Sequence, residues 1–338
     1  MVSIDNLVRY CSLEHVAPSY GKTANFLETI SAVFLTPTGH CLAAFRMKHL
    51  KGEVWAPLLK KIAALVLFIL FLPIAFAGVA LKEIGRLLPH EVSFPNDTGY
   101  ESTDPVHIEL CYEQARIFKE VCLKNGFVRP ETNIPRFCAV GGTALGALRH
   151  QGMIPWDDDI DFMILEDDEA DFLNLRSDLE KQGLLFDLTY FATQGLYKLR
   201  FTDAKLDEYK EKHRRLERPA SPDLDIFIWS QMTDGCYSLR ANLPRCTWPN
   251  EYFTEEELNG GVEEYPFERL SLPALVRNSA ESYVKRYYGE DCLHFGIKTH
   301  GHVRIWGMTV SCLRFNAHRF ELKHSRGKYA QGLSVQIA

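Results

Sequence analysis

The longest apolar run in the chain, Ile62 to Leu81, holds 20 residues without a charge. Twenty helical residues rise about 30 Å, the thickness of a bilayer's hydrocarbon core. No polar face interrupts the run, which favours a membrane segment over a buried core helix. Pro73 in its middle leaves a kinked span or a shallow hairpin open. Phe26 to Phe45 is also fairly apolar, but Glu28, Thr36, Pro37, Thr38, Gly39 and His40 break it, so it reads as an interfacial or packing segment. The first twenty residues lack the apolar core of a cleavable signal peptide.

Beyond the run the pattern changes. Leu87 to Thr103 contains Pro89, Pro95, Asn96 and Gly99 and reads as a linker. Asp104 suits a helix N-cap with Pro105 at the first helical position. Ile108, Cys111, Tyr112, Ala115, Phe118 and Cys122 then share one helical face, which Asn125-Gly126 ends. Arg136 to Val140 predicts a strand, and Ile160 to Leu165 a short apolar strand entered from a turn at Pro155. Asp167 to Gln182 predicts a helix with Phe172, Leu175 and Leu179 inward, stopped by Gly183; its leading acids suit the helix dipole. Leu184–Tyr190 and Tyr197–Thr202 predict two strands around a turn at Gln194-Gly195. Lys205 to Arg218 reads as a solvated helix or loop, Leu224 to Trp229 as a strand, and Cys236 to Gly261 as loop-rich.

Charge and composition narrow the class. There are 38 Lys+Arg against 44 Asp+Glu and no basic stripe, so nucleic acid is not an expected partner. Nine cysteines include no C-x-x-C pair, so most read as buried thiols. Cys292, His294, His300 and His302 fit no standard zinc spacing.

The chemistry concentrates between 141 and 171. Gly141-Gly142-Thr143 offers backbone N–H groups near a helix start, a seat for phosphate. Downstream, nine acids crowd positions 157 to 171, with no Lys or Arg between Arg149 and Arg176. Alternation puts Asp159 and Asp161 on one strand face, where they can share a divalent cation. Oxygen-only ligands favour Mg2+ or Mn2+ over zinc. Asp157, Asp159 and Asp161 copy positions 1, 3 and 5 of a calcium loop, but Phe162 stands where that loop needs Gly. Asp225, alone in an apolar strand, is costly unless paired or metal-bound.

The run Gly141–Ile164, GGTALGALRHQGMIPWDDDIDFMI, resembles the signature of the LicD / fukutin family, of nucleotidyltransferase fold. The resemblance covers roughly 105 to 295. It implies an α/β (α+β) fold, a mixed sheet flanked by helices, with Thr143 to His150 beginning a helix. It implies a third carboxylate on a later strand, where Asp225-Ile226-Phe227 matches; Asp223 is the weaker alternative. Asp159, Asp161 and Asp225 are then the expected metal ligands, and Asp158 the nearby free carboxylate for proton transfer. Gly142, Thr143 and Arg149 are expected to hold nucleotide phosphates. Lys198 or Arg200 would meet a donor phosphate, or both are solvated charges. Trp156 and Pro155 shape the turn. Leu272-Pro273 and Tyr288-Gly289 match a family strand and helix end.

The implied activity moves a phospho-substituent, such as phosphocholine or an alditol phosphate, from a CDP-linked donor to a sugar hydroxyl of a glycan or glycolipid. A true nucleotidyltransferase and a non-catalytic binding protein with a vestigial site are the alternatives. The expected organisation is 1–57 of unassigned role, 58–86 membrane, 87–104 linker, 105–295 catalytic domain and 296–338 extension. Arg46, Lys48, Lys51, Lys60 and Lys61 precede the run, which puts the N-terminus in the cytosol and the catalytic domain across the membrane. That suits a Golgi lumen; in a bacterium the CDP donor instead calls for the cytoplasmic side. The sequon Asn96-Asp97-Thr98 matters only in a secretory pathway.

Overall fold

The computed structural model describes residues 7, 22–46, 48–51, 55–88, 103–130, 134–187, 195–215, 217–241, 245, 248, 250–290, 292–298, 303–305, 308–310 and 318–321. The sequon, the Gln194 turn, His300 and His302 lie outside them. The chain forms two compact units.

The first unit contains α1 (Lys22–Arg46) and α2 (Trp55–Leu87), which lie against each other. Phe26–Phe45 is therefore part of a helix packed on its neighbour. Pro73 sits inside α2 without ending it, so the run is one continuous helix and not a hairpin at Pro73. Leu58–Gly85 is, among the described residues, the one helical segment long and apolar enough to cross a membrane.

The second unit holds a mixed α/β core. It starts with α3 (Pro105–Lys124), whose N-cap Asp104 accepts from the Val106 N–H at 2.9 Å. There follow β1 (Phe137–Ala139), α4 (Gly141–Arg149) and β2 (Asp159–Leu165). After a 3-10 turn at Glu166–Asp168 come α5 (Glu169–Asn174), α6 (Arg176–Lys181), β3 (Leu184–Asp187), β4 (Leu196–Phe201) and α7 (Asp203–Lys212). Then follow β5 (Asp223–Gln231), β6 (Tyr237–Leu239), β7 (Tyr252–Phe253), α8 (Glu255–Asn259), β8 (Val262–Phe267), β9 (Leu270–Leu275) and α9 (Arg277–Tyr288).

The main sheet runs β1-β2-β5-β4-β3, with β6 and β7 continuing from β5. Only β2 and β5 are parallel in that path; β1, β4 and β3 pair antiparallel with their neighbours. One face of the central strands carries Ile160, Phe162, Ile164, Leu224, Ile226 and Ile228, all buried. Helix α3 packs against β2 and β5. Its inward row is the predicted one, and Phe118 stacks on Phe162 at 5.3 Å and meets Phe137 edge-on at 4.9 Å. Such aromatic pairs add about 0.5–1.5 kcal/mol each beyond their buried area. With one face so committed, alternation turns Asp159, Asp161, Asp223 and Asp225 to the other.

Three local expectations need correction. The helix over 167–182 is two helices, because the Leu175 N–H bonds back three residues to Phe172 and tightens the turn. Phe172, Leu175 and Leu179 still face inward. Asp168 and Glu169 serve ion pairs more than a helix dipole: Asp168 is buried against Arg129 and Arg136, and Glu169 binds Arg240 and the Tyr197 hydroxyl. A buried carboxylate needs a cation, which a dipole worth under about 1 kcal/mol cannot replace. Finally, 236–261 contains β6, β7 and α8, the last opened by a Thr254–Glu257 capping box.

Candidate active site

The in-register pairing of β2 and β5 builds the site. Asp159 stands opposite Asp223 and Asp161 opposite Asp225, so four carboxylates share one patch of sheet. Lys198 of β4 is opposite Asp225 and enters the same patch. Its Nζ donates to both Asp225 oxygens at 2.8 Å and to Asp223 at 2.9 Å. Arg200 completes the pairing of Asp223, at 2.5 Å. Asp223 is therefore satisfied by two cations and lies below the usual carboxylate range, burial notwithstanding.

Asp159 and Asp161 are not neutralised in this way. Asp159, Asp161 and Asp225 bring ligand oxygens within 4.8 Å of one another, and Asp157, Asp158 and Asp159 form a second such group. Among the described residues no Lys or Arg forms an ion pair with Asp159 or Asp161. Burial, then the neighbouring carboxylates, hold both well above the ordinary range. Burial and Asp158 push Asp157 up to about 7, and burial pushes Asp225 up to about 6 against the pull of Lys198. Burial works against the charge on Lys198, yet Asp225 and Asp223 raise its pKa. A compact set of hard oxygen donors with excess negative charge fits Mg2+ or Mn2+.

Helix α4 delivers its N-terminus to this cluster. Gly141 has φ +54°, and a Cβ there would stand 2.9 Å from Asp161 Oδ2. At Gly142 a Cβ would collide with the Asp157 carboxylate. The two glycines thus let the helix start touch two carboxylates. Gly142→Ala is expected to displace Asp157 and weaken divalent-ion affinity about tenfold or more, measured by calorimetry, with the fold intact by circular dichroism.

The Thr143 hydroxyl accepts the Asp161 N–H at 2.8 Å, tying α4 to β2, so its side chain positions the strand. The structure does not bring Arg149 to the helix start. It is buried at the other end of α4, about 12 Å along the axis. There its guanidinium lies 5.9 Å over the Trp156 ring and its charge acts on Asp157. Asp158 is exposed, with its carbonyl 2.6 Å from His107 Nε2.

Sequence reasoning passed over Tyr283 and Glu251. Both are buried; the Tyr283 hydroxyl accepts the Gly141 N–H at 2.8 Å and donates to Glu251 at 2.9 Å. Burial pushes Glu251 up to about 7, against its tyrosine hydrogen bonds, and its charge bears on Asp161. The only sequence signal was that Tyr283 falls on the apolar face of α9. Tyr283→Phe leaves the buried Gly141 N–H without its acceptor and takes one of two tyrosine hydrogen bonds from Glu251. It is expected to cost about 1–3 kcal/mol in denaturant unfolding.

Comparison with known proteins agrees with this geometry. Residues 133–274 match the family described as LicD/FKTN/FKRP, nucleotidyltransferase domain. An uncharacterized protein of Rickettsia typhi is 26% identical over 211 residues, 58% of this chain and 55% of that protein. An uncharacterized protein of Rickettsia prowazekii is 48% identical over 42 residues, 12% of this chain and 16% of that protein. The lipopolysaccharide cholinephosphotransferase LicD of Haemophilus influenzae is 51% identical over 35 residues, 10% of this chain and 13% of that protein. The chain thus spans about half the length of the first relative and under a fifth of the other two. Strand register, glycine helix start and family match fall on the same stretch: residues 133–274 match the LicD/FKTN/FKRP nucleotidyltransferase domain.

Proposed function

We propose that this protein is a membrane-anchored, divalent-metal-dependent transferase that moves a phospho-substituent from a CDP-linked donor to a sugar hydroxyl. The observation that carries the reading is the meeting of Asp159, Asp161 and Asp225 at the glycine start of α4. The family match supports a transferase of this type, and the Haemophilus relative is named a cholinephosphotransferase.

Asp159, Asp161 and Asp225 would hold Mg2+ or Mn2+, which supplies charge neutralisation for a diphosphate. The Gly142 and Thr143 N–H groups, left without helical acceptors, would receive phosphate oxygens. Lys198 holds Asp225 in place and would share a donor oxygen. Asp158 would take the proton of the acceptor hydroxyl as its oxygen bonds to the phosphorus carrying the head group. The bond from that phosphorus to the CMP oxygen breaks, and CMP leaves. Leu58–Gly85 would anchor the enzyme in a bilayer.

Calorimetric titration of the full chain with CDP-choline and CDP-ribitol, with and without Mg2+ or Mn2+, tests this. Metal-dependent binding of one CDP compound, lost in Asp161→Ala, is the expected result. Binding of ATP or CTP but neither CDP compound would move the assignment to nucleotidyl transfer. Absence of all nucleotide binding by folded protein would overturn it.

A further inference from the structure

We infer that α1 is a second membrane-embedded helix, antiparallel to α2, so that residues 22 and 88 end on the same face of the bilayer and the 47–54 link lies on the other. The inference rests on α2 crossing the membrane and adds a second crossing to it.

The direction of packing follows from reach. Leu35 of α1 packs with Ala75 of α2, and its side chain lies against Gly78. Leu35 is about 17 Å from the end of α1, and Ala75 about 30 Å from the start of α2. Parallel helices in that register would require the link to span about 47 Å. The steps from Arg46 to Trp55, fully extended, reach only about 32 Å. The helices are therefore antiparallel.

The pair also buries polar side chains beside its apolar contacts. Ser31, Thr38 and Cys41 of α1 and Lys82 of α2 are buried along with Leu35, Ala64 and Ala75, while Val33 of α1 and Leu65, Ile69, Leu70 and Phe76 of α2 are exposed. A close contact at small residues, here Leu35 on Ala75 and Gly78, with apolar side chains outside is an arrangement lipid favours. Thr29 to Phe45 is uncharged, about 26 Å of helix; less apolar than Leu58–Gly85, it would cross packed against that helix and not alone. Glu28 and Arg46 bound it in the sequence. Positive charge gathers at one end: Arg46, Lys48, Lys51, Lys60 and Lys61 all flank the link. That end faces the cytosol and its anionic lipid. The basic residues that argue for a cytosolic N-terminus in a single span belong instead to a cytosolic turn.

The test uses the full chain in sealed vesicles of known orientation, with an epitope inserted after residue 15, 52 or 95. External protease should remove the residue-52 epitope while sparing both others, or the reverse in inverted vesicles. The 15 and 52 epitopes sharing one face, with 95 opposite, would overturn the hairpin and leave a single span. All three on one face would overturn any crossing. Release of the protein by alkaline carbonate would overturn the hairpin together with the anchor.

Discussion

Asp161→Asn should lower transfer by about 10³-fold or more and at the same time raise the melting temperature of the metal-free protein at pH 8. The two effects share one cause. Asp161 is half-buried among Asp159, Asp225, Asp157 and Glu251, with no ion-paired cation among the described residues. Its anionic form is costly until a cation arrives. Asn keeps the shape and the backbone bond to Thr143 and removes the repulsion. Relief of even 1 kcal/mol raises the melting temperature of a domain this size by about 2–4 °C. Steady-state turnover and a thermal melt without metal check both halves. An active Asn variant, or an inactive one that is also less stable, would contradict the assignment of Asp161 as a ligand.

A second large effect is the coupling of pH, metal and stability. Asp157 is raised to about 7 and Asp225 to about 6, and Asp159 and Asp161 are raised as well. A raised carboxyl pKa means that the folded state binds more protons than the unfolded one. The metal-free protein is therefore most stable below the unfolded value near 3.8, as far as these groups are concerned, and loses that stability as pH rises through about 6 to 7. A bound divalent cation favours the deprotonated forms and reverses the trend. Without metal, the melting temperature should fall between pH 5 and 8 by about several degrees. The gain on adding Mg2+ or Mn2+ should grow over the same window. A metal-free melting temperature that climbs steadily with pH would show that these carboxylates are compensated by something other than a metal ion.

Much of the site was legible because it depends on local rules. Alternation alone put Asp159 and Asp161 on one face, and the lone Asp225 in an apolar strand marked itself as a group needing a partner. The inward face of α3 followed from helical spacing. Long-range register was not legible. That Asp161 faces Asp225 across a parallel pair, or that Lys198 is opposite Asp225, depends on strand order. Tyr283 reaches Gly141 across 142 residues of sequence, and nothing near either residue announces the bond. Arg149 shows the reverse case. It stands in the signature run, but the rise of α4 carries it away from the helix start and onto Trp156. The break at Leu175 was hidden because both halves keep the same inward residues.

Three carboxylates on β2 and β5 are proposed to serve transfer of a phospho-substituent from a CDP donor. The most direct test follows nucleotide products during incubation of the full chain with CDP-choline or CDP-ribitol, Mg2+ or Mn2+, and a glycan acceptor. Release of CMP, abolished by chelation and by Asp161→Asn, is the predicted result. Release of pyrophosphate from a nucleoside triphosphate, or CMP release that persists in the Asn variant, would contradict it.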